Sequence, residues 1–178
     1  MDPVVDLTVR SSLALLFALA AAHKLRDLAG FRATFADYRI VPEALAPAGA
    51  TLVVASEVGS ACLLLLPGWR QAGLLVAIVL LGAYAAAIGV NLARGRRHID
   101  CGCGGPAGRQ PISGWLVARN LAVVFAALAC LGPVSTRPLV WVDVLTIGAG
   151  VLALAAVYGA ADRLIANLPA VARARGVA

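Results

Sequence analysis

Long apolar runs separated by short polar segments dominate the pattern of this chain. A helix needs about 20 apolar residues to cross the hydrocarbon core of a bilayer, and a charged side chain near one end of a span can extend to the interface. The pattern therefore predicts five membrane-spanning helices, at residues 4–25, 44–66, 71–93, 112–131 and 138–161. The third span has no charged residue, and Gly73, Gly82 and Gly89 along it predict the close approach of another helix.

Two of the polar connections have patterns of their own. Residues 26–41 place apolar side chains three or four residues apart with arginines between them, which predicts an amphipathic helix on the membrane surface, ended by Pro42. Residues 94–111 are rich in glycine and contain two closely spaced cysteines. The predicted fold is all-α: a polytopic integral membrane helical bundle with a four-helix core, one further span and this interfacial helix, forming a single domain over residues 1–178.

Composition excludes a water-soluble domain, because 61% of the residues are hydrophobic, 13% are charged and the mean hydropathy is +0.89. The net charge of +6 does not indicate a nucleic-acid partner, since the basic residues lie mainly beside the apolar runs, where they contact anionic lipid. The first run follows the acidic residues Asp2 and Asp6 rather than a basic leader. It is therefore predicted to be a retained helix and not a cleaved signal peptide.

The basic residues also predict the orientation in the membrane. In the five-span arrangement Arg10, Arg70 and Arg137 fall on one side, and the other lysine and arginine residues fall on the opposite side. Short cytoplasmic segments collect lysine and arginine. We therefore expect the amino terminus outside, and the carboxyl terminus and the cysteine loop at the cytoplasmic face.

The sharpest chemical signal is the pair Cys101 and Cys103, separated by a single glycine. Thiols at this spacing form a small, strained disulfide, which is easier to reduce than a relaxed one. Such a bond is better suited to thiol-disulfide exchange than to a permanent structural cross-link. Nearby arginines at 94, 96, 97 and 109 favour the thiolate, whereas Asp100 opposes it. A competing interpretation is a site for a thiophilic metal ion, with His98 or Asp100 beside the two thiolates, and a third is an inert loop.

A second cysteine pair is possible in principle. Cys62 and Cys130 fall near the outer ends of the second and fourth predicted spans, where a disulfide between them would let electrons cross the membrane by successive exchange. Cysteine is also an ordinary small apolar residue in packed helices. We favour the ordinary interpretation and keep the pair as a candidate.

Ionisable side chains within the spans require partners. Glu57 lies near the middle of the second span and Arg119 lies inside the fourth, so we predict a structural ion pair between them in preference to a proton relay. His23, at the end of the first span, is predicted to be an interfacial anchor.

These residues together resemble the MauE and DoxX-like membrane proteins, a family associated with methylamine utilisation. The residues that carry the resemblance are His23, Lys24, Leu25, Phe31, Tyr38, Pro42, Glu57, the segments 91–95 and 101–105, Arg119 and Asn120. The resemblance implies a small helical bundle of the bacterial cytoplasmic membrane, linked to redox maturation. It also implies a thioredoxin-like partner that helps an enzyme subunit acquire its disulfides.

The function predicted from these patterns is thiol-disulfide exchange by Cys101 and Cys103 with a thioredoxin-like protein, supported by His98, Asp100, Glu57 and Arg119. The sequence contains no fingerprint for a flavin, nicotinamide, haem or nucleotide, and a quinone remains compatible with a bundle of this size. Two alternatives stay open. One is a transporter or metallochaperone for a thiophilic metal, with Cys101, Cys103 and His98 as ligands, and the other is a non-catalytic scaffold for redox enzymes.

Overall fold

The computed structural model describes residues 1–102 and 110–174, with the backbone alone for residues 165–174. Across these ranges the secondary structure is helical, apart from one isolated bridge between Asp100 and Pro111. The helices are α1 (Pro3–Arg26), α2 (Leu28–Asp37), a 3₁₀ turn (Glu43–Leu45), α3 (Ala46–Leu65), α4 (Arg70–Ala93), α5 (Gly114–Ala129) and α6 (Trp141–Ala174). The all-α membrane bundle predicted from the sequence is confirmed.

Four of these helical segments are long and apolar enough to cross a membrane: α1, the 3₁₀ turn with α3, α4, and the part of α6 up to Leu164. The fourth predicted span is shorter than expected, because α5 has 16 residues and is about 24 Å long at 1.5 Å per residue. Ile112 does not join it, since its N–H donates to the Ile99 carbonyl at 2.9 Å. The last helix begins later than predicted, at Trp141, and continues past residue 161.

The helices close into a bundle, because α5 also contacts α1 and its Arg119 pairs with Asp162 on α6. α3 lies against α1 and α4, α5 lies against α4, and α6 lies against the outer side of α1. Leu13, Phe17, Leu64 and Leu74 are among the buried side chains that join α1, α3 and α4, and no residue from Trp141 to Leu164 is buried. The core is therefore built from α1, α3, α4 and α5, with α6 as a peripheral fifth helix.

One of the three glycines in α4 performs the predicted role. A Cβ atom at Gly73 would lie 2.7 Å from the backbone nitrogen of Leu64, so only glycine permits the observed approach of α3 and α4. At Gly82 and Gly89 a Cβ atom would meet no other atom of the described residues within 4 Å. The prediction of close approach is thus confirmed at Gly73 and wrong at the other two positions.

The predicted amphipathic connection forms α2, which begins where the Asp27 carboxylate accepts the Gly30 N–H at 2.9 Å. It packs on α3, with the ring of Phe35 against Gly49. The helix ends before Arg39, whose φ of 48° is left-handed. Its apolar face therefore faces the bundle and covers the space between α3 and α4.

Arg10, Arg70 and Arg137 lie together at one end of the bundle, as the five-span arrangement requires. The buried Asp6 carboxylate accepts hydrogen bonds from Arg10 at 3.3 Å and from Arg70 at 2.9 Å. Arg137 pairs with Asp2 at 2.9 Å, and the hydrogen bond from its guanidinium lowers the pKa of the Asp2 carboxyl. These three arginines hold the start of α1 to the ends of its neighbours.

Candidate functional site

The cysteine segment leaves the opposite end of the bundle, and its two flanks are paired with each other. The Cys101 N–H donates to the Gln110 carbonyl at 2.8 Å, next to the bond between Ile112 and Ile99. The Asp100 carboxylate accepts the N–H groups of Gly102 at 3.2 Å and Gln110 at 3.3 Å. Asp100 therefore fastens the base of the segment, a role that its charge alone did not predict.

Cys101 is buried, with 8% of its surface exposed, in an apolar cluster with Tyr38, Ile88, Ile99, Ile112 and Leu116. The Tyr38 hydroxyl donates to the Cys101 carbonyl at 3.3 Å. Gly102 follows with a φ of 70°. The thiol-disulfide exchange predicted for the pair requires an accessible sulfur, whereas Cys101 lies inside the protein. Cys103 lies outside the described residues, as does Arg109.

Arg94 and Arg96, which follow α4 and precede the cysteines, form hydrogen bonds that hold the end of α2 against the end of α4. Arg96 donates to the Asp37 carbonyl at 2.8 Å and to the Asn91 side chain at 3.0 Å, and Arg94 donates to the Arg39 carbonyl at 3.2 Å. The buried Asn91 amide donates to the Tyr38 carbonyl at 3.1 Å. These contacts fix the end of α2 beside Cys101.

A cavity of about 610 Å³ lies beside Cys101, between α2, α3 and α4. Its walls are mainly aliphatic and aromatic, and they include Cys101 and Gly102. Lys24 and Tyr84 contribute two of its few polar side chains. The sequence did not reveal this cavity, because its walls come from segments far apart along the chain.

A buried polar cluster adjoins the cavity. The Lys24 ammonium lies 2.5 Å from the Glu57 carboxylate, and the Tyr84 hydroxyl donates to the same carboxylate oxygen at 2.6 Å. Lys24 is 5% exposed and Glu57 is fully buried. The ammonium also lies 5.2 Å from the centre of the Phe31 ring. Among the described residues, the second oxygen of Glu57 has no hydrogen-bond partner.

The predicted ion pair between Glu57 and Arg119 is wrong. Arg119 instead lies 2.6 Å from Asp162 on α6, and its guanidinium is 4.9 Å from the centre of the Tyr158 ring. Both residues have the charged partners that burial requires, but Glu57 on α3 finds its partner on α1 and Arg119 on α5 finds its partner on α6. The partners of Glu57 are Lys24, at the end of the first predicted span, and Tyr84 on α4.

The remaining candidate residues are dispersed. Cys62 is exposed on α3 and Cys130 is buried at the end of α5, and both are free thiols. Their exchange as a second pair stays a prediction. His98 is exposed, as is Arg97, and His23 lies inside the last turn of α1. No group of three or more potential ligands is found within the described residues, and the metal interpretation, which needs Cys103, stays a prediction.

Sequence comparison with known proteins identifies the family of this chain. The sequence model described as "Methylamine utilisation protein MauE" matches residues 2–135. The chain is 36% identical over 174 residues to the methylamine utilization protein MauE of Methylorubrum extorquens, which covers 97% of this chain and 92% of that protein. It is 36% identical over 127 residues to the protein of the same name from Paracoccus versutus, covering 71% of this chain and 68% of that protein.

A third relative, the methylamine utilization protein MauE of Methylophilus methylotrophus, is 35% identical over 166 residues, covering 92% of this chain and 87% of the relative. No solved structure matches the chain. The family match covers α1 to α5, and with them Cys101, Cys103 and the cluster around Glu57. On this agreement in sequence, the chain belongs to the MauE family of membrane proteins.

Proposed function

We propose that this protein is a membrane thiol-disulfide exchange protein acting in methylamine utilisation, with Cys101 and Cys103 as its redox pair and a thioredoxin-like protein as its partner. The observation that carries the proposal is the placement of Cys101. It lies at the paired base of the segment, beside the cavity of an apolar helical bundle. The name of the relatives, methylamine utilization protein MauE, supports the link to methylamine.

The burial of Cys101 assigns different roles to the two thiols. A partner cannot readily attack a residue that is 8% exposed and enclosed by Tyr38 and four aliphatic side chains. We therefore assign the intermolecular bond to Cys103. A thiolate of the partner attacks the Cys103 sulfur of the oxidised pair, and Cys101 leaves as a thiolate. The partner's second thiolate then displaces Cys103, so the partner becomes oxidised and the pair becomes a dithiol.

Replacing one cysteine at a time tests this assignment. Cys101→Ser retains Cys103, whose thiolate attacks the disulfide of the oxidised thioredoxin-like partner, and it lacks the thiol that would then displace the partner. A long-lived mixed disulfide is therefore expected when this variant is mixed with the oxidised partner. Cys103→Ser is the matched control and should form at least tenfold less complex. Non-reducing electrophoresis with mass spectrometry of the linked peptides measures both. Equal trapping by the two variants would overturn the assignment, and no trapping by either would overturn the exchange function.

A second test separates exchange from the alternatives. Cells that depend on this protein for growth on methylamine should fail to grow when it is replaced by the Cys101→Ser/Cys103→Ser variant. Undiminished growth with normal membrane levels of the variant would favour the scaffold. A stoichiometric thiophilic metal in the purified protein, lost in the same variant, would favour the metal site instead.

A further inference from the structure

The cavity beside Cys101 has the volume and lining of a small-molecule site. Its volume of about 610 Å³ falls within the range in which proteins enclose ligands. Phe31, Phe35, Val53 and Leu80 supply apolar and aromatic walls, and Cys101 lies among them. A flat ring with an apolar tail fits walls of this kind.

The rim of the cavity indicates the route by which an occupant arrives. Ile40 and Val90 line the cavity and are 50% and 43% exposed, respectively. Both are aliphatic and lie on a bundle whose outer surface contacts lipid. Because the exposed Arg94 lines the same cavity just beyond the end of α4, we infer that an occupant enters from the bilayer near its interface, which favours a lipid-soluble molecule over a water-soluble one.

The polar groups of the cavity define the chemistry that the occupant presents. Lys24 is a hydrogen-bond donor, and its charge is already balanced by Glu57 at 2.5 Å. An anionic headgroup would compete with this buried carboxylate and gain little. A neutral carbonyl oxygen can accept a hydrogen bond from the ammonium without disturbing the pair. At Lys24 the cavity therefore favours an uncharged carbonyl group, and the exposed Arg94 lies elsewhere along its lining.

We propose that the cavity binds a membrane quinone and that this quinone reoxidises the Cys101–Cys103 dithiol. The inference rests on the proposed exchange function and names its oxidant. The two thiols lose two electrons and two protons as their S–S bond forms, and the quinone accepts both pairs to become a quinol. Electrons then pass from the partner's dithiol, through the cysteine pair, to the membrane quinone pool. Lys24 is a positioning residue for the quinone carbonyl.

The test uses the full chain in liposomes, with a benzoquinone that carries a ten-carbon tail. Ala83 and Val79 lie one turn apart on α4, and Ala83 lines the cavity whereas Val79 is 69% exposed and does not line it. Ala83→Trp fills the cavity, so quinol formation coupled to disulfide formation should slow at least tenfold. Val79→Trp, the matched control, should retain the parental rate. Oxidation of both variants by the thioredoxin-like partner's disulfide should be unchanged.

The outcomes separate the two proposals. Parental quinone rates in Ala83→Trp, or a dithiol that exchanges with the partner but never reduces the quinone, would overturn the quinone site and leave the exchange function standing. A pair that no oxidant converts to a disulfide would overturn both. Cross-linking by a photoreactive quinone gives a readout independent of turnover. It should label residues that line the cavity and be abolished by Ala83→Trp, and labelling of other residues would contradict the site.

Discussion

The burial of Lys24 and Glu57 makes each of these charged residues dependent on a partner of opposite charge. Each is nearly removed from solvent, so each depends on the other to offset the loss of hydration. Their separation of 2.5 Å and the Tyr84 hydrogen bond concentrate three polar groups inside an apolar bundle. The cluster both fastens α1 to α3 and supplies the donor that faces the cavity.

Replacing one member of this ion pair should destabilise the protein more than replacing both members. Lys24→Met leaves an uncompensated buried carboxylate, and we expect it to lower the free energy of unfolding by about 3–5 kcal/mol. Lys24→Met/Glu57→Leu removes both charges and should regain most of that loss. Denaturant titration of the purified proteins in detergent measures both variants. A double variant no more stable than Lys24→Met would show that the pair is not the source of the effect.

The need for partners at Glu57 and Arg119 was predictable, and the partners were not. The position of a residue within an apolar run gives its depth in a span, and both residues were correctly expected inside the bundle. It does not give the order of the helices. Because α1 is the neighbour of α3, Glu57 meets Lys24, a residue that the sequence pattern had placed at the interface.

At the scale of the elements, the apolar runs predicted the helices well because membrane spans have a simple physical requirement. The length of its uncharged run was enough to predict α4, and the observed helix differs from the prediction only by starting one residue earlier. The start of α5 was mispredicted because Ile112 is apolar yet forms a backbone bond with Ile99. Long-range pairings of this kind leave no periodic signal in the sequence.

The contact between α3 and α4 depends on the absence of a side chain at Gly73. Gly73→Ala would press a methyl group against the Leu64 backbone, so we expect a destabilisation of about 1–3 kcal/mol. Gly82→Ala, on the same helix with open space around it, should be neutral or stabilising by up to about 1 kcal/mol, since alanine favours helix. Thermal unfolding in detergent compares the two. Equal effects would indicate that helix propensity, not packing, dominates at both positions.

On the scale of the whole molecule, the two ends of the bundle differ in chemistry. One end holds Arg10, Arg70 and Arg137 in carboxylate contacts, and the other holds the cysteine segment and its arginine clamps. We propose that the cysteine end faces the cytoplasm. An impermeant maleimide applied to intact cells should then leave Cys103 unlabelled, and labelling from outside would reverse the orientation.

A quinone route reconciles this orientation with disulfide chemistry. Thiols facing a reducing cytoplasm need a continuous oxidant to hold a disulfide. A site that opens to the bilayer supplies one without requiring electrons to pass between the two ends of the bundle. The second cysteine pair, Cys62 with Cys130, is then unnecessary for turnover, which agrees with the placement of one thiol at the surface and the other in the core.

The most direct measurement of the central claim is a redox titration of Cys101 and Cys103 in the purified full-length protein. After equilibration in thiol-disulfide buffers of graded potential, free thiols are alkylated and counted by mass spectrometry. We predict a reversible two-electron transition between dithiol and disulfide within the range of potentials set by cellular thiol buffers. A pair that stays fully reduced, or fully oxidised, at every potential in that range would contradict the account.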